Sequence, residues 1–144
     1  MFLLIVLCSI NVYARGLRAT AITLDGNTTI SVPTTSTVYT DTYRLDFVDY
    51  MAIKYQATSS GSVNLKIEME QDVEAPATEN IADADMTEPS DISDVDSSLT
   101  DENIHKKQFL PDSFQYYRFK ITGQSGNDAS TTLKIYTSTI TSAR

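Results

Sequence analysis

The sequence has little of the chemistry that most enzymes use. Its 144 residues include one histidine, His105, one cysteine, Cys8, and no tryptophan. A single imidazole and a single thiol leave few ways to build a nucleophile with its base. His105 stands between Ile104 and Lys106 in a strand-like stretch, where we read it as an exposed strand residue. The sequence also lacks a glycine-rich phosphate loop, a His-x-x-x-His pair and a nucleotide-binding fingerprint. We therefore expect a protein that is not an enzyme.

Positive charge is also scarce. Eleven Lys and Arg residues oppose nineteen Asp and Glu residues, for a net charge of −8. Nucleic acid is not expected as a partner, because a surface that follows phosphates needs a basic patch. The acidity is local, since residues 72–102 hold eleven acids and no Lys or Arg. The remainder of the chain is mildly basic.

No apolar run is long enough to cross a bilayer, which takes roughly 20 residues. The longest run, residues 2–10, fits the apolar part of a short secretion signal, and Val12-x-Ala14 resembles a cleavage site. We therefore interpret residues 1–14 as a candidate signal peptide, whose removal would also remove Cys8. The alternative interpretation is a buried first strand, or unused residues that follow an upstream start codon.

Strict alternation of apolar and polar residues identifies the clearest strands. Over residues 62–71, Val63, Leu65, Ile67 and Met69 alternate with polar residues, which predicts one buried and one solvated face. Residues 51–56 alternate in the same way, and the turn-rich linker 58–61 between the two runs predicts a hairpin over 50–71. A second hairpin is predicted over 116–137, where Phe119 and Ile121 point inward.

Weaker strand patterns occupy 19–24, 28–32, 36–40, 43–47 and 104–110. Short strands separated by turns, without a helical period, predict an all-β fold. We expect a single antiparallel β-sandwich domain over 15–144, either immunoglobulin-like or jelly-roll, with about seven or eight strands. Residues 72–103 are predicted to be one long acidic loop. We expect 74–96 to be mobile and dispensable for folding.

The acidic loop is the only place where a metal ion could be expected. Carboxylates in a flexible loop suit Ca²⁺, and the candidate ligands are Asp83, Asp85, Asp91, Asp94 and Asp96. The spacing does not match an EF-hand, because Leu99 stands where glycine is required. The alternative is a solvated loop whose like charges repel one another. No other cofactor is expected.

Tyrosine is common in the strand-like segments, and it raises the prospect of a sugar-binding platform. The tyrosines concerned are Tyr39, Tyr43, Tyr50, Tyr55, Tyr116, Tyr117 and Tyr136. Aromatic residues in strands also serve as core residues and cross-strand pairs, so both interpretations stay open.

Three blocks of the sequence carry a family resemblance: residues 50–71, residues 99–105, and Tyr117-Arg118-Phe119-Lys120-Ile121-Thr122-Gly123 with Gly126-Asn127. Together they resemble small β-sandwich proteins found among the structural genes of tailed bacteriophages. The resemblance implies a structural subunit of a virion or extracellular assembly that acts through protein contacts. It supplies no site residues.

The alternative is a secreted adhesive or carbohydrate-binding module. Either function implies an extracellular or virion location. If the protein is a subunit, the Thr-rich segments 28–42 and 137–144 could each add a strand to a neighbouring subunit.

Overall fold

The computed structural model describes residues 16–45, 48–83, 86, 94–109 and 115–141. The candidate signal peptide and Cys8 lie outside the described residues. Ten strands form within the described part: β1 (Gly16–Ala21), β2 (Ile30–Ser31), β3 (Thr37–Tyr39), β4 (Tyr43–Arg44), β5 (Val48–Thr58), β6 (Leu65–Asp72), β7 (Asp96–Leu99), β8 (His105–Phe109), β9 (Tyr116–Gly123) and β10 (Thr132–Thr141).

The strands form two antiparallel sheets of five strands each. Sheet I has the order β1-β10-β5-β8, with β2 also paired to β10. Sheet II has the order β3-β9-β6-β7, with β4 also paired to β9. The predicted all-β sandwich is confirmed. The described residues contain ten strands instead of the expected seven or eight, and one of them, β7, lies within the predicted loop.

The core lies between the sheets and follows the alternation in the sequence. Leu65, Ile67, Phe119 and Ile121 of sheet II are each 0% exposed, as predicted. They face the inward side chains of β5 and β10, which include Met51, Ile53, Leu133 and Ile135. A buried hydrogen bond joins the two sheets across the core, between the Tyr117 hydroxyl and Thr137 Oγ1 at 2.9 Å. Burial raises the pKa of Tyr117 to about 12, so its hydroxyl stays neutral at ordinary pH.

Both predicted hairpins are wrong, although their strands exist. β5 belongs to sheet I and β6 to sheet II, so 50–71 is a crossover between sheets. The same holds for β9 and β10 in 116–137. The connections, residues 59–64 and 124–131, are long enough to cross the roughly 10 Å between packed sheets. They also bond to each other, since the Asp128 amide donates to the Ser62 carbonyl and the Gln124 amide to the Asn64 carbonyl, both at 2.8 Å.

Asn127 joins three chain segments at this end of the sandwich. Its buried side chain accepts a hydrogen bond from the Asn64 amide at 3.0 Å and donates to the Val32 carbonyl at 2.9 Å. Gly123 packs so closely that a Cβ there would collide with the Pro33 carbonyl oxygen. Gly126 has a φ of 89°, a conformation that favours glycine.

The prediction of one continuous loop over 72–103 is also wrong. β7 lies inside that range and pairs with β6, and Leu99 is buried. Val95 and Met86 are buried as well. The segment therefore contains spaced apolar residues that pack against the rest of the domain. The sequence analysis gave more weight to the many acidic residues around them and predicted a loop.

The Thr-rich segments pair within the domain. β2 pairs with β10 and β3 with β9. β10 lies between β1 and β5, so both of its edges are occupied along 137–141. The expectation that the segment from Thr137 adds a strand to a neighbour is therefore wrong for its described part. Residues 142–144 lie outside the described residues.

Candidate functional site

His105 is held by its neighbours at the start of β8. Its ring stacks on Tyr55, with centroids 5.4 Å apart, and its Nε2 lies 2.8 Å from Asp101 Oδ1. The His105 contact is the main cause that lowers the pKa of the Asp101 carboxyl. The hydrogen-bond partner of the imidazole is thus a carboxylate, not a hydroxyl or thiol that it could activate.

The described calcium candidates have separate partners. Asp83 accepts a hydrogen bond from the Ala77 amide, Asp94 forms an ion pair with Lys66 at 2.9 Å, and Asp96 accepts one from the Tyr55 hydroxyl at 2.9 Å. Burial is the main cause that raises the pKa of Tyr55, and the bond to Asp96 adds to it. No three carboxylate, imidazole or thiol groups among the described residues are placed to hold a metal ion. Asp85 and Asp91 lie outside the described residues, so the calcium site stays a prediction.

The outer face of sheet II carries a ladder of opposite charges. Glu70 pairs with Arg118 across β6 and β9, with Glu70 Oε2 2.9 Å from both Arg118 Nε and Nη2. Beside them, Glu68 forms ion pairs with Lys120 at 3.2 Å and with Lys66 at 2.8 Å. Burial raises the pKa of Glu70 despite its partner.

The acidic segment covers this ladder. We use the name covering segment for residues 73–83, 86, 94 and 95. Arg118 is 0% exposed because the segment lies over it, and its Nη1 donates to the Ile81 carbonyl at 2.7 Å. Its guanidinium also stacks over the Tyr39 ring at 4.6 Å. The covering segment therefore closes the outer face of sheet II over Arg118.

A second cluster holds the covering segment at Asn80, the residue before Ile81. Asp41 accepts hydrogen bonds from Thr23 Oγ1 at 2.5 Å and from the amides of Asp25 and Gly26. Asp25 in turn accepts one from Asn80 Nδ2 at 2.6 Å. Burial alone would raise the pKa of the Asp41 carboxyl, but these hydrogen bonds outweigh it and hold the pKa below its ordinary value. The carboxylates of Asp41 and Asp25 are thus used in hydrogen bonds within the protein, and these bonds hold the loops together.

The outer face of sheet I carries a different set of side chains. We call it the tyrosine–lysine face. It consists of three rows of outward side chains that run across β10, β5 and β8. The first row is Lys134 and Gln56, the second is Tyr136, Lys54 and Lys106, and the third is Ser138, Ala52 and Gln108. Tyr50 of β5 lies beyond the third row. Tyr50 is 55% exposed and Tyr136 41% exposed. These are two of the few large apolar side chains in the described part that lie open to solvent.

A shallow depression lies in this face. It has a volume of about 100 Å³ and is lined by Tyr50, Met51, Ala52, Gln108 and Ser138. Its floor is low because the small residues Ala52 and Ser138 stand opposite each other. Tyr50 and Tyr136 are separated by four positions along the strands, which is about 13 Å. The small residues therefore sit between two exposed rings.

The tyrosine–lysine face is also basic. Lys54, Lys106 and Lys134 are exposed, and within the described residues none of them has a carboxylate partner. Lys54 and Lys106 stand directly opposite each other on β5 and β8, and Lys54 Nζ lies 5.9 Å from the Tyr136 ring centroid. The outward positions that the structure describes on β5, β8 and β10 hold no Asp or Glu.

The seven tyrosines of the predicted platform are not brought together. Tyr55 and Tyr117 are buried, Tyr43 packs against the core, and Tyr39 covers Arg118. Tyr116 lies on sheet II. Only Tyr50 and Tyr136 share the open face of sheet I. The flanking lysines and glutamines were missed as site residues, although their outward positions alternate with core residues in the sequence.

The described residues contain no helix long and apolar enough to cross a membrane.

No protein-family model matches the sequence, and no curated protein matches it either. The predicted resemblance to tailed-phage proteins therefore has no support from sequence families. Among solved structures, the chain is similar to an N-terminal cellulose-binding domain of the Cellulomonas fimi β-1,4-glucanase C, at a TM-score of 0.49 and 14% identity, covering 88% of this chain and 89% of that one. It is also similar to a chain of infectious bursal disease virus, Gt strain, at a TM-score of 0.40 and 10% identity, covering 86% of this chain and 32% of that one. Similarity at this level carries no argument about what the protein binds.

Proposed function

We propose that the protein is a non-enzymatic binding module and that the tyrosine–lysine face holds a polysaccharide. The observation that carries the proposal is the pair of exposed rings, Tyr50 and Tyr136, on either side of a depression floored by Ala52 and Ser138. Exposed aromatic side chains grouped on one face are typical of contact surfaces. The flat face of a sugar ring can pack on a tyrosine ring, and the distance of about 13 Å between the strand positions leaves room for more than one sugar.

Polar side chains beside the rings fit the same ligand. Gln108 lines the depression, and Gln56 lies two positions beyond Lys54 on the same face. The Gln108 amide offers two donors and an acceptor to sugar hydroxyls, whereas Gln56 Nε2 already donates to the Glu102 carbonyl at 3.0 Å and leaves one donor and the acceptor. A few polar groups around an apolar surface is the usual composition of a small-ligand site. A rigid sheet supports the whole arrangement, so little ordering is needed on binding.

The test is binding to a panel of soluble polysaccharides by affinity electrophoresis. Tyr50→Ala and Tyr136→Ala are each expected to weaken binding about tenfold, the effect of losing an aromatic contact worth about 1.4 kcal/mol. Tyr116→Ala, a partly exposed strand tyrosine on sheet II, is the matched control and should bind as wild type does. If all three variants bind equally well, the face is not the site. If wild type retards on no polysaccharide, the proposal is wrong.

A second candidate function is a structural subunit that assembles with other copies of the chain. It is favoured by the separation of charge between the two faces of the sandwich. The covering segment exposes Glu74 and Glu79 over sheet II, whereas sheet I presents three lysines that have no carboxylate partner among the described residues. A face that fits the opposite face of the next copy gives a head-to-tail contact, which builds rings or filaments. Either function fits an extracellular or virion location.

Sedimentation velocity separates the two candidates. A subunit should form oligomers that grow with protein concentration and dissociate as salt rises. Lys54→Glu with Lys106→Glu should abolish them. A monomer at every concentration would leave assembly of copies without support.

A further inference from the structure

We infer that the ligand of the tyrosine–lysine face is an anionic polysaccharide, one that carries carboxylate or sulfate groups. The inference rests on the proposed function and narrows its ligand class. The observation behind it is which positively charged side chains have a carboxylate partner in the structure and which do not. On sheet II, Lys66 and Lys120 pair with Glu68, and Arg118 pairs with Glu70, so these three side chains are committed to internal partners.

The lysine of β8 that points away from the face is committed too. Lys107 Nζ donates to the backbone carbonyl of Asp94 at 2.5 Å. By contrast, Lys54, Lys106 and Lys134 are exposed and have no carboxylate partner among the described residues. All three lie on the tyrosine–lysine face. A protein of net charge −8 therefore keeps its unpaired described lysines on a single surface.

The arrangement of the lysines costs stability while the face is empty. Lys54 and Lys106 are direct cross-strand neighbours, and like charges at that position in an antiparallel pair repel each other. An anionic group placed between them would remove the repulsion and gain two attractions. The row that holds them also contains Tyr136, whose ring lies beside Lys54. One sugar could thus pack on the ring while its acidic group meets the two ammonium groups.

The next row supplies the continuation of such a chain. Ser138, Ala52 and Gln108 form the floor and wall of the depression, and Tyr50 stands beyond them. A further sugar would meet hydroxyl and amide groups here, and then a second ring. At the end of the face near Gln56, the Glu102 carboxylate accepts a hydrogen bond from the Ser59 amide at 2.9 Å. This bond turns the carboxylate toward the connection between the sheets. No described carboxylate on the outward positions of the face opposes an anion.

The charge density of the face favours a polysaccharide over nucleic acid. Duplex DNA carries one negative charge per about 1.7 Å of its axis. Three lysines would neutralise few of these charges, while the overall charge of −8 would repel the rest of the duplex. A polysaccharide with acidic groups spaced along a mostly neutral chain suits two rings and three lysines.

The experiment compares three probes at low and moderate salt by isothermal titration: polygalacturonate for carboxylate, chondroitin sulfate for sulfate, and hydroxyethyl cellulose as the neutral polymer. We expect one or both anionic polymers to bind at least about tenfold more tightly than the neutral one, with affinity falling as salt screens the charges. The variant Lys54→Gln/Lys106→Gln/Lys134→Gln should lose about tenfold in affinity and most of the salt dependence. Lys66→Gln, on sheet II, is the matched control, and circular dichroism checks that each variant is folded.

Each other outcome overturns the inference in a distinguishable way. If the neutral polymer binds as well as the anionic ones and only the tyrosine variants lose it, the proposed function stands and the anionic ligand is wrong. If none of the three polymers binds, the anionic ligand is wrong, and the proposed function falls with it only if wild type also binds no polysaccharide of the wider panel. Salt-sensitive oligomers that the triple variant abolishes, without polysaccharide binding, would assign the lysines to contacts between copies. Tighter binding to duplex DNA than to either anionic polymer would assign them to nucleic acid.

Discussion

Replacing Arg118 by methionine should destabilise the protein far more than a typical single substitution. The side chain is wholly buried between sheet II and the covering segment, where it bonds to Glu70 and to the Ile81 carbonyl. Methionine keeps most of the volume and removes the charge. The Glu70 carboxylate, only 12% exposed, would then be left without its ion-pair partner. Breaking a buried pair in this way costs about 3–5 kcal/mol.

Equilibrium unfolding in urea measures the effect, and a second variant isolates its cause. Glu70→Leu/Arg118→Met removes both charges, and replacing a buried pair by apolar residues is often close to neutral. We therefore expect the double variant to recover most of the loss. A loss below about 1 kcal/mol for Arg118→Met, or a double variant as unstable as the two single losses combined, would refute the reasoning.

The pH dependence of the same variant gives an independent check. Burial already raises the pKa of Glu70 in the folded protein, and removing Arg118 takes away the interactions that lower it. A group whose folded pKa is above its unfolded value contributes stability at low pH that is lost as pH rises through the folded pKa. The penalty of Arg118→Met should therefore be smaller at about pH 4 than at neutral pH, since the unfolded pKa of Glu is about 4.3.

Four further outcomes are expected. Leu65→Ala should cost about 2–4 kcal/mol in urea unfolding, because the side chain is fully buried; a loss under about 0.5 kcal/mol, as at a surface site, would contradict the core assignment. Gly123→Ala should cost about 1–3 kcal/mol through the collision described above, whereas the exposed Ser125→Ala should stay within about 0.5 kcal/mol. Asp41→Asn should destabilise at neutral pH and progressively less in acid, because a lowered folded pKa contributes stability that is lost as pH falls through it; an equal loss at every pH would show that the charge is not involved. Added Ca²⁺ should leave the melting temperature unchanged, and a clear rise would instead establish a calcium site by linkage.

Alternation predicted which side chains are buried but not which strands pair. Leu65 and Ile67 were expected to face a core, and so were Met51 and Ile53, because alternate residues of a strand lie on the same face of the sheet. Both sheets pack on the same core, however, so the inward residues of a strand do not show to which sheet the strand belongs. Pairing depends on contacts with strands distant in sequence, such as β5 with β10 and β6 with β9. A short linker therefore did not imply a hairpin.

The candidate site was only partly predictable for the same reason. The outward direction of Tyr136 followed from its position between Ile135 and Thr137. Its place beside Lys54, in the same face as Tyr50, depends on the register of β5 with β10, which the spacing of residues within one strand does not contain. The sequence analysis considered tyrosine as a contact residue and did not consider the neighbouring lysines.

Much of the third block that carries the family resemblance, residues 117–123 with 126–127, has a structural explanation. Arg118 is the buried cation of sheet II, and Phe119 and Ile121 are core residues. The glycine that follows allows close packing, and Asn127 ties three chain segments together. Such a pattern can recur in proteins that share a fold without sharing a ligand.

The position of β10 between β1 and β5 has a consequence for how the chain folds. Gly16 pairs with Thr141, and Met51 with Thr139, so sheet I lacks the strand that joins β1 to β5 until a late part of the chain has been synthesised. Contacts between such distant residues require large loops to close first, which slows folding to the range of milliseconds to seconds. During that time the apolar side of β5 is uncovered, and aggregation competes with folding. A chain cut before Thr132 should therefore fail to fold, and the yield of refolding should fall as protein concentration rises.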